Sequence, residues 1–494
     1  MSTSHCAEPV GVTRQSVATL LNEAQHPLAI DRYQRPYVWG VDKVEQLIAD
    51  LEEYLDTSTT KAGQTPADYY MGTVLLHKAA NHDSGEDCLY IIDGQQRLTT
   101  LSVLYHCITH ELPTQCNPVY YSPDSERNIR LAQQCFAQSK LKSIATTTLF
   151  SRVNLTVITV ESEDLAFTFF DTQNSRGVPL EACHLLKAYH LRAITGEESA
   201  RTALLERCAQ RWEQQGDTQR LFERFLWRAR RWKGQNSKAL KYENHDALLA
   251  EFEKNTLEPL SDAASVPLYG HQGNRLASQL SLHGKASFNL ALSPISLAPD
   301  SADLPFVLRQ PINRGVGFFL YAEKYSALVN RLFKDDPSNA QLRAFQGFYN
   351  DVVKDLSSYL RELYQLACVV YLDKFGSQQL LGFALWLEHV LGAIRIGQYS
   401  IYKQTPIVFL RDEEHNLLDI IAQAFRSEEV ISYLENHPGL AKRYAQETND
   451  GKRGRYKQRL LRYYGQADGS SLKDKQAWIR AKLTPTKPAQ RVTA

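Results

Sequence analysis

The sequence predicts an α+β protein in which a region of short strands mixed with helices is followed by a mostly α-helical region. Three observations carry this. Strand-like runs bounded by turn formers concentrate between residues 27 and 195. From about Glu197 onward the apolar residues recur at helical spacing instead, near 199–232, 316–334, 338–374, 378–396 and 412–435. The 494 residues also leave room for about two to four folding units. The divisions expected are an arm over 1–26, a mixed domain over 27–195, a helical extension over 196–260, an irregular linker over 261–314 and a helical region with a basic tail over 315–494.

Hydrophobic residues make up 43% of the chain and charged residues 22%, the composition of a globular protein and not of a disordered or fibrous one. Formal net charge is only +1, so a nucleic-acid surface has to arise from local clustering of Lys and Arg. The eight cysteines form no CxxC pair and read as reduced thiols. Met1 to Gln25 lacks a long apolar core behind a basic start, and no run of about 18 consecutive apolar residues occurs. A soluble, cytoplasmic protein with no membrane partner is therefore expected.

Along the chain, Leu28-Ala29-Ile30 precedes a loop, Tyr33-Gln34-Arg35-Pro36-Tyr37-Val38-Trp39, in which Pro36 stops regular pairing. Asp42 with Glu45 makes a capping-box pattern ahead of the stripe Val44, Leu47, Ile48, Leu51 and Leu55. Met71–His77 and Cys88–Ile92 are expected as a hairpin around the turn-rich segment 81–86. The second of these strands ends at Asp93-Gly94, and Leu98, Leu101, Leu104, Ile108 and Leu112 then mark a helix. A further strand is expected near Val153–Ile158, followed by a helix capped by Ser162 that ends near Asn174-Ser175-Arg176-Gly177, and by another helix carrying Lys187.

The strand, turn and helix meeting at Asp93-Gly94-Gln95-Gln96-Arg97 have the parts of a phosphate site. Glycine permits the tight turn, the helix start offers unpaired N–H groups, and Arg97 can present two donors to phosphate oxygens. Gln95 and Gln96 can orient water, and Asp93 can bind a divalent metal or the attacking water. An alternative stays open on spacing alone: Asp93 caps the helix and Arg97 pairs with a nearby carboxylate. Tyr33, Gln34 and Arg35 interleave aromatic, amide and guanidinium groups suited to a base and its phosphates, or the rings simply cover a sheet edge. Asn174, Arg176 and Lys187 can approach a phosphate, or the segment is a helix stop and restart.

Two basic clusters, Arg224 to Lys233 and Arg453, Arg455, Lys457 and Arg459 with their neighbours, can follow a nucleic-acid backbone or form solvated helix faces. His106, Cys107 and His110 lack a further ligand at suitable spacing, which favours a structural role. No HExxH, GxSxG, Walker or His-Asn-His pattern is present.

Taken together, Tyr33–Trp39, Tyr70-Met71-Gly72-Thr73-Val74, Ile92–Leu101 and Asn174–Leu180 with Leu185-Leu186-Lys187 resemble, in order and spacing, the N-terminal domain of the GmrSD-type restriction endonucleases. The resemblance covers residues 27 to about 195. It implies a ParB/sulfiredoxin-like fold with a small mixed sheet, and nucleotide binding with hydrolysis at Asp93, Gln95, Gln96 and Arg97. Gly94, Tyr33, Gln34, Arg35, Asn174, Arg176 and Lys187 would complete the pocket around an NTP, with Mg2+ at Asp93. It implies further an anti-phage restriction role on DNA alongside a nuclease-bearing partner, with a homo-oligomer compatible. His184 and Ala188 depart from the family pattern, which more often has Asp and Asn there. The rival readings are a nucleotide-switched, ParB-like DNA-binding protein without significant hydrolysis, and a direct endonuclease with an unrecognised active site.

Overall fold

The computed structural model describes residues 10–30, 34, 36–59, 67–80, 85–116, 118–120, 123–141, 147–162, 165, 181–195, 198–234, 244–262, 264–267, 278–283, 287–292, 301–412 and 414–484. The chain divides into two compact units, Met1–Gly216 and Asp217–Ala494.

The first unit is α+β. Its sheet contains β1 (Val10–Ser16), β2 (Leu28–Ala29), β3 (Tyr69–Ala80), β4 (Asp87–Asp93) and β5 (Val153–Val160), in the spatial order β1-β5-β3-β4-β2. β3 and β4 form the antiparallel hairpin expected from the turn formers between them. β5 runs parallel to β3 and antiparallel to β1, while β2 is parallel to β4, so the sheet is mixed. Strand alternation sends Val74, Leu76, Leu89, Ile91, Leu155 and Val157 to one face and Leu75, Cys88, Tyr90, Ile92 and Val160 to the other.

Helices α1 (Val17–Asn22), α2 (Val41–Thr59), α3 (Gln95–Thr109) and α4 (Pro123–Gln138) contribute apolar stripes to the first face, including Leu20, Leu47, Leu51, Leu98, Leu101 and Phe136. α5 (Thr148–Arg152) leads directly into β5, and α6 (Ala182–Arg192) and α7 (Glu198–Gln214) complete the unit. Two details differ from the sequence reading. Part of the expected N-terminal arm is an edge strand and a helix: Ser16 Oγ accepts from the Thr19 amide at 3.1 Å and starts α1, which buries Val17, Leu20 and Leu21. α2 begins one residue before Asp42, with the Gly40 carbonyl accepting from Lys43 and Val44, so Asp42 lies inside the first turn and does not cap it.

The second unit is mostly helical. Thr218–Arg220, the π-helical Leu221–Trp227 and Arg228–Arg231 follow one another without a break. The segment expected to be irregular contains a hairpin, β6 (Ser278–His283) with β7 (Ser287–Leu292). The helices that follow are α8 (Val316–Phe333), α9 (Ala340–Asp351), α10 (Ser358–Phe375), α11 (Leu380–Gly397), α12 (Thr405–Asp412), α13 (Leu417–Gln423), α14 (Ser427–Glu435), α15 (Leu440–Tyr444), α16 (Gly451–Tyr464) and α17 (Lys475–Leu483). Among the described residues α11 is the one helix long and apolar enough to cross a membrane, and 89% of it is buried inside the protein. The apolar-run criterion passes over it because Glu388, His389 and Arg395 interrupt the sequence.

Those interruptions are structural. Glu388 is fully buried, and Lys475 of α17, equally buried, places Nζ 2.8 Å from Oε1 and 2.7 Å from Oε2. The Tyr456 hydroxyl of α16 donates to the same carboxylate, and Lys475 donates to Tyr444 Oη at 3.1 Å. Burial lowers the Lys475 pKa, against the attraction of Glu388. One carboxylate therefore ties two helices, at sequence separations of 68 and 87 residues, to the core helix, and Lys475 links Tyr444 to them. A Lys475→Met chain should lose about 3–5 kcal/mol of stability, because it leaves an uncompensated buried charge. In urea unfolding, adding Glu388→Leu should restore much of that loss, giving strong non-additivity; additive losses would show that the pair is not coupled.

Candidate functional site

The site begins at the end of β4. Gly94 is the N-cap of α3 with φ +94°, and a Cβ there would meet Val74 Cγ2 at 2.9 Å. The chain can thus turn from strand into helix in one residue while packing against β3. No side chain caps α3, so the expected alternative of an Asp93 cap is not what the structure has. The other half of that alternative is present: Arg97 Nη2 lies 3.5 Å from Asp93 Oδ2. At that length and partial exposure the pair contributes little to stability.

Arg97 has a second anchor. β3 carries an irregularity between Tyr70 and Thr73, and Gly72 within it has φ +106°. Arg97 Nη1 donates to the Met71 carbonyl at 3.2 Å, and a Cβ on Gly72 would collide with that same nitrogen. The Met71-Gly72 bulge is therefore a seat for the guanidinium.

The amides face inward. Gln96 is buried and accepts from the Val38 amide at 2.8 Å through Oε1 while donating to the Pro36 carbonyl at 3.0 Å through Nε2. Both ends of the group expected to orient water thus hold the loop between β2 and α2. Gln34, also buried, donates from Nε2 to the Ile92 carbonyl at 3.1 Å. Tyr37 is fully buried: its amide donates to Ser125 Oγ, its carbonyl accepts from Asn128, and its hydroxyl lies 2.8 Å from Thr100 Oγ1. Because Thr100 Oγ1 donates to the Gln96 carbonyl at 2.7 Å, the Tyr37 hydroxyl is the donor in that contact. Burial pushes the Tyr37 phenol up to about 12, so it stays protonated.

Lys187 of α6, expected at a phosphate, is 1% exposed and donates to the Gln34 carbonyl at 3.2 Å and to Glu213 of α7 at 2.8 Å. This corrects its expected role: Lys187 supports the loop from behind. Glu213 was missed by sequence reasoning, since a carboxylate 26 residues further on a different helix leaves no local pattern. Gln95 is buried at the helix start. Asp93 and Arg97 are partly open, with 39% and 23% of their side chains exposed, and they are the members of the turn that a ligand can reach. Tyr33, Arg35, Asn174 and Arg176 lie outside the described residues.

Among the described residues no group of three or more His, Cys, Asp and Glu is placed to hold a metal ion. His110 ends α3 in the left-handed conformation with its amide on the His106 carbonyl. Asp93 alone still fits Mg2+, which binds through one or two carboxylates together with substrate phosphates and water.

The basic clusters divide differently from expectation. Arg224 and Arg228 share Glu362, and Arg230 and Arg231 share Glu251, so each arginine of the first cluster has an acidic partner within its own unit, although two carboxylates offset only half of the four charges. In the second, Lys457 is buried against Glu447 at 2.9 Å, and Arg453 donates to the Ile396 carbonyl at 3.1 Å and lies over Tyr399. Lys457 cannot meet a nucleic acid from there. Arg455 and Arg459 are exposed, the latter 2.9 Å from Asp355.

Two substitutions separate support from chemistry. Gln96→Ala should cost about 1–3 kcal/mol by stranding the Val38 amide and Pro36 carbonyl, and hydrogen exchange at Val38 should rise; unchanged exchange would refute the clamp. Gly72→Ala should cost about 1–3 kcal/mol through the forced backbone, measured by urea unfolding, and should displace Arg97.

Two family models match the chain. Residues 17–191 match the GmrSD restriction endonuclease N-terminal domain, and residues 204–450, half of the chain, match a family of unknown function (DUF7834). The chain has no match among curated proteins. The first match contains the whole Asp93–Arg97 turn, its Gln34–Val38 loop and Lys187, and it ends one residue before the end of α6. The chain thus belongs to the GmrSD-type restriction endonuclease N-terminal domain family over residues 17–191 and to the DUF7834 family over residues 204–450.

Proposed function

We propose that the protein is the nucleotide-responsive component of a restriction system acting on DNA, with the nucleoside triphosphate at the Asp93–Arg97 turn. The observation that supports this best is the geometry of Arg97. Its guanidinium rests on the Met71-Gly72 bulge beside Asp93, Arg97 lies in the first turn of α3, whose start no side chain caps, and both charged groups stay open. Helix-start N–H groups and a guanidinium suit phosphate oxygens. Asp93, 3.5 Å from that guanidinium, suits a metal that neutralises phosphate charge or the water that attacks it. The bound Mg2+ would supply charge neutralisation, while Asp93 holds it or the water, Arg97 orients the phosphates, and Gln96, Gln34 and Lys187 fix the loop against the turn. Phosphate chemistry here would control cleavage by a nuclease-bearing partner, in keeping with the restriction endonuclease family of residues 17–191.

A second reading has its own observation. Because both ends of the Gln96 amide are engaged with backbone, that side chain is not available to position water, and this favours a switch that binds nucleotide with little hydrolysis.

Phosphate release and equilibrium nucleotide binding by the purified chain, measured with Mg2+ and with or without DNA, distinguish the two. Asp93→Ala should reduce turnover by about 100-fold or more, the scale of losing a positioned acid-base or water-orienting group. Arg97→Ala should weaken both binding and turnover. Tight binding with no phosphate release would establish the switch, and full turnover in both variants would refute the site.

A further inference from the structure

The second unit contains a cavity of about 660 Å³ between the start of α10 and the exposed face of α16. Six cations line it: Lys354, Arg395, Lys452, Arg455, Arg459 and Arg462. Asp355, paired with Arg459, is the single acid in the lining. Ordinary solvated helix faces interleave signs, so this convergence raises the energy of the protein unless an anion offsets it.

Its composition follows from α16. Lys452, Arg455, Arg459 and Arg462 are spaced by three, four and three residues and occupy one face, while Leu460 and Leu461 turn to the buried side and Tyr456, buried at the edge of the row, closes the cavity floor. At 1.5 Å per residue the four cations span about 15 Å. Among the described residues, Lys354, Lys452, Arg455 and Arg462 have no acidic partner within ion-pair distance.

Two buried groups show that the cavity is built for an anion. Arg395 is only 5% exposed, yet among the described residues its guanidinium has no carboxylate partner and only a 3.5 Å contact to the Gln398 carbonyl. A buried cation in that situation is costly unless a counter-charge arrives. Ser357, the N-cap of the 18-residue α10, has its hydroxyl buried with no hydrogen-bond partner among the described residues, and it makes no cap bond to its own helix. The amides of the first turn of α10 add the positive end of the helix dipole.

The 15 Å row of cations is longer than one phosphate group and suits a chain of them. A nucleic-acid strand with duplex-like rise presents a phosphate about every 3.4 Å, so about four would face the row. Tyr399 is 87% exposed in the lining, offering a ring on which a base can stack. A concave cavity with a protruding ring fits one strand better than the convex flank of a duplex. We propose that this cavity binds the phosphodiester backbone of single-stranded nucleic acid, through a site in the second unit that is independent of the Asp93–Arg97 turn.

Fluorescence anisotropy with a labelled oligonucleotide of eight thymidines, in EDTA and without nucleotide, tests the proposal on the full chain. These conditions leave the metal-dependent reading of the turn unengaged, so either reading can fail alone. The native chain should bind with a logarithmic salt slope near −3, since about four neutralised phosphates contribute roughly 0.7 each for a single strand. Arg455→Gln with Arg462→Gln, both at exposed positions, should weaken binding at least tenfold and reduce the slope by about 1.4. Tyr399→Ala should weaken binding with the slope unchanged. Three outcomes would overturn the proposal: affinity unaltered in the double variant, tighter binding of the matching duplex, or displacement of the oligonucleotide by equimolar inorganic phosphate or ATP.

Discussion

Arg97 can occupy its position only because the backbone gives way twice around it. At Gly72 the bulge in β3 removes the Cβ that would strike Nη1, and the displaced Met71 carbonyl becomes its acceptor. At Gly94 the left-handed conformation brings α3 against Val74 closely enough that no larger residue fits. One glycine sets where the helix starts and the other sets where its first-turn arginine points. Asp93, at the last position of β4, stands 3.5 Å from that guanidinium, so the charge pattern at the end of the sheet follows from these two backbone positions.

Around that turn a buried set of polar contacts does the positioning. Gln96 binds Pro36 and Val38, Gln34 binds Ile92, Lys187 binds Gln34, and Glu213 holds Lys187. Gln34, Gln96 and Lys187 are buried and Glu213 is largely covered, so removing any one strands a partner where an unmade hydrogen bond is costly. Residues that read as ligands in the sequence are in large part the frame that keeps the loop against the helix start. Asp93 and Arg97 are left open by that division, which narrows the chemistry to a carboxylate and a guanidinium set on a rigid support.

What the sequence disclosed was what depends on neighbouring residues. The hairpin β3–β4, the turn at Gly94 and the face of α3 formed by Leu98, Leu101, Leu104 and Ile108 are local patterns and are present as expected, whereas Leu112 lies beyond the end of the helix and is exposed. The α+β division likewise follows from periodicity. Roles that depend on distant partners were hidden: the contacts of Gln96 lie 58 and 60 residues away, and Lys187 reaches back 153 residues to Gln34. The strand Val10–Ser16 escaped notice because an edge strand with mostly exposed side chains needs only backbone pairing with β5, and its VGVTRQS sequence carries little apolar alternation. Charge runs misled for the same reason. Arg228 and Lys457 look like surface cations until Glu362 and Glu447 are brought to them, and only folding shows which cations remain without an acid.

The contrast between the two ways the second unit treats charge gives the basic cavity its meaning. In the interior, Lys475 meets Glu388 and Lys324 meets Asp373, and tyrosine hydroxyls complete both carboxylates. Desolvated charge there is matched group for group, as it has to be when water is excluded. Arg395 sits on the same helix as Glu388, seven residues further along, and is nearly as buried, yet no carboxylate is supplied to it among the described residues. Among the described residues, a unit that pairs its interior charges this closely sets one guanidinium without a carboxylate next to five more cations and an unsatisfied serine at a helix start, and the proposed anion would be the counter-charge that balances it.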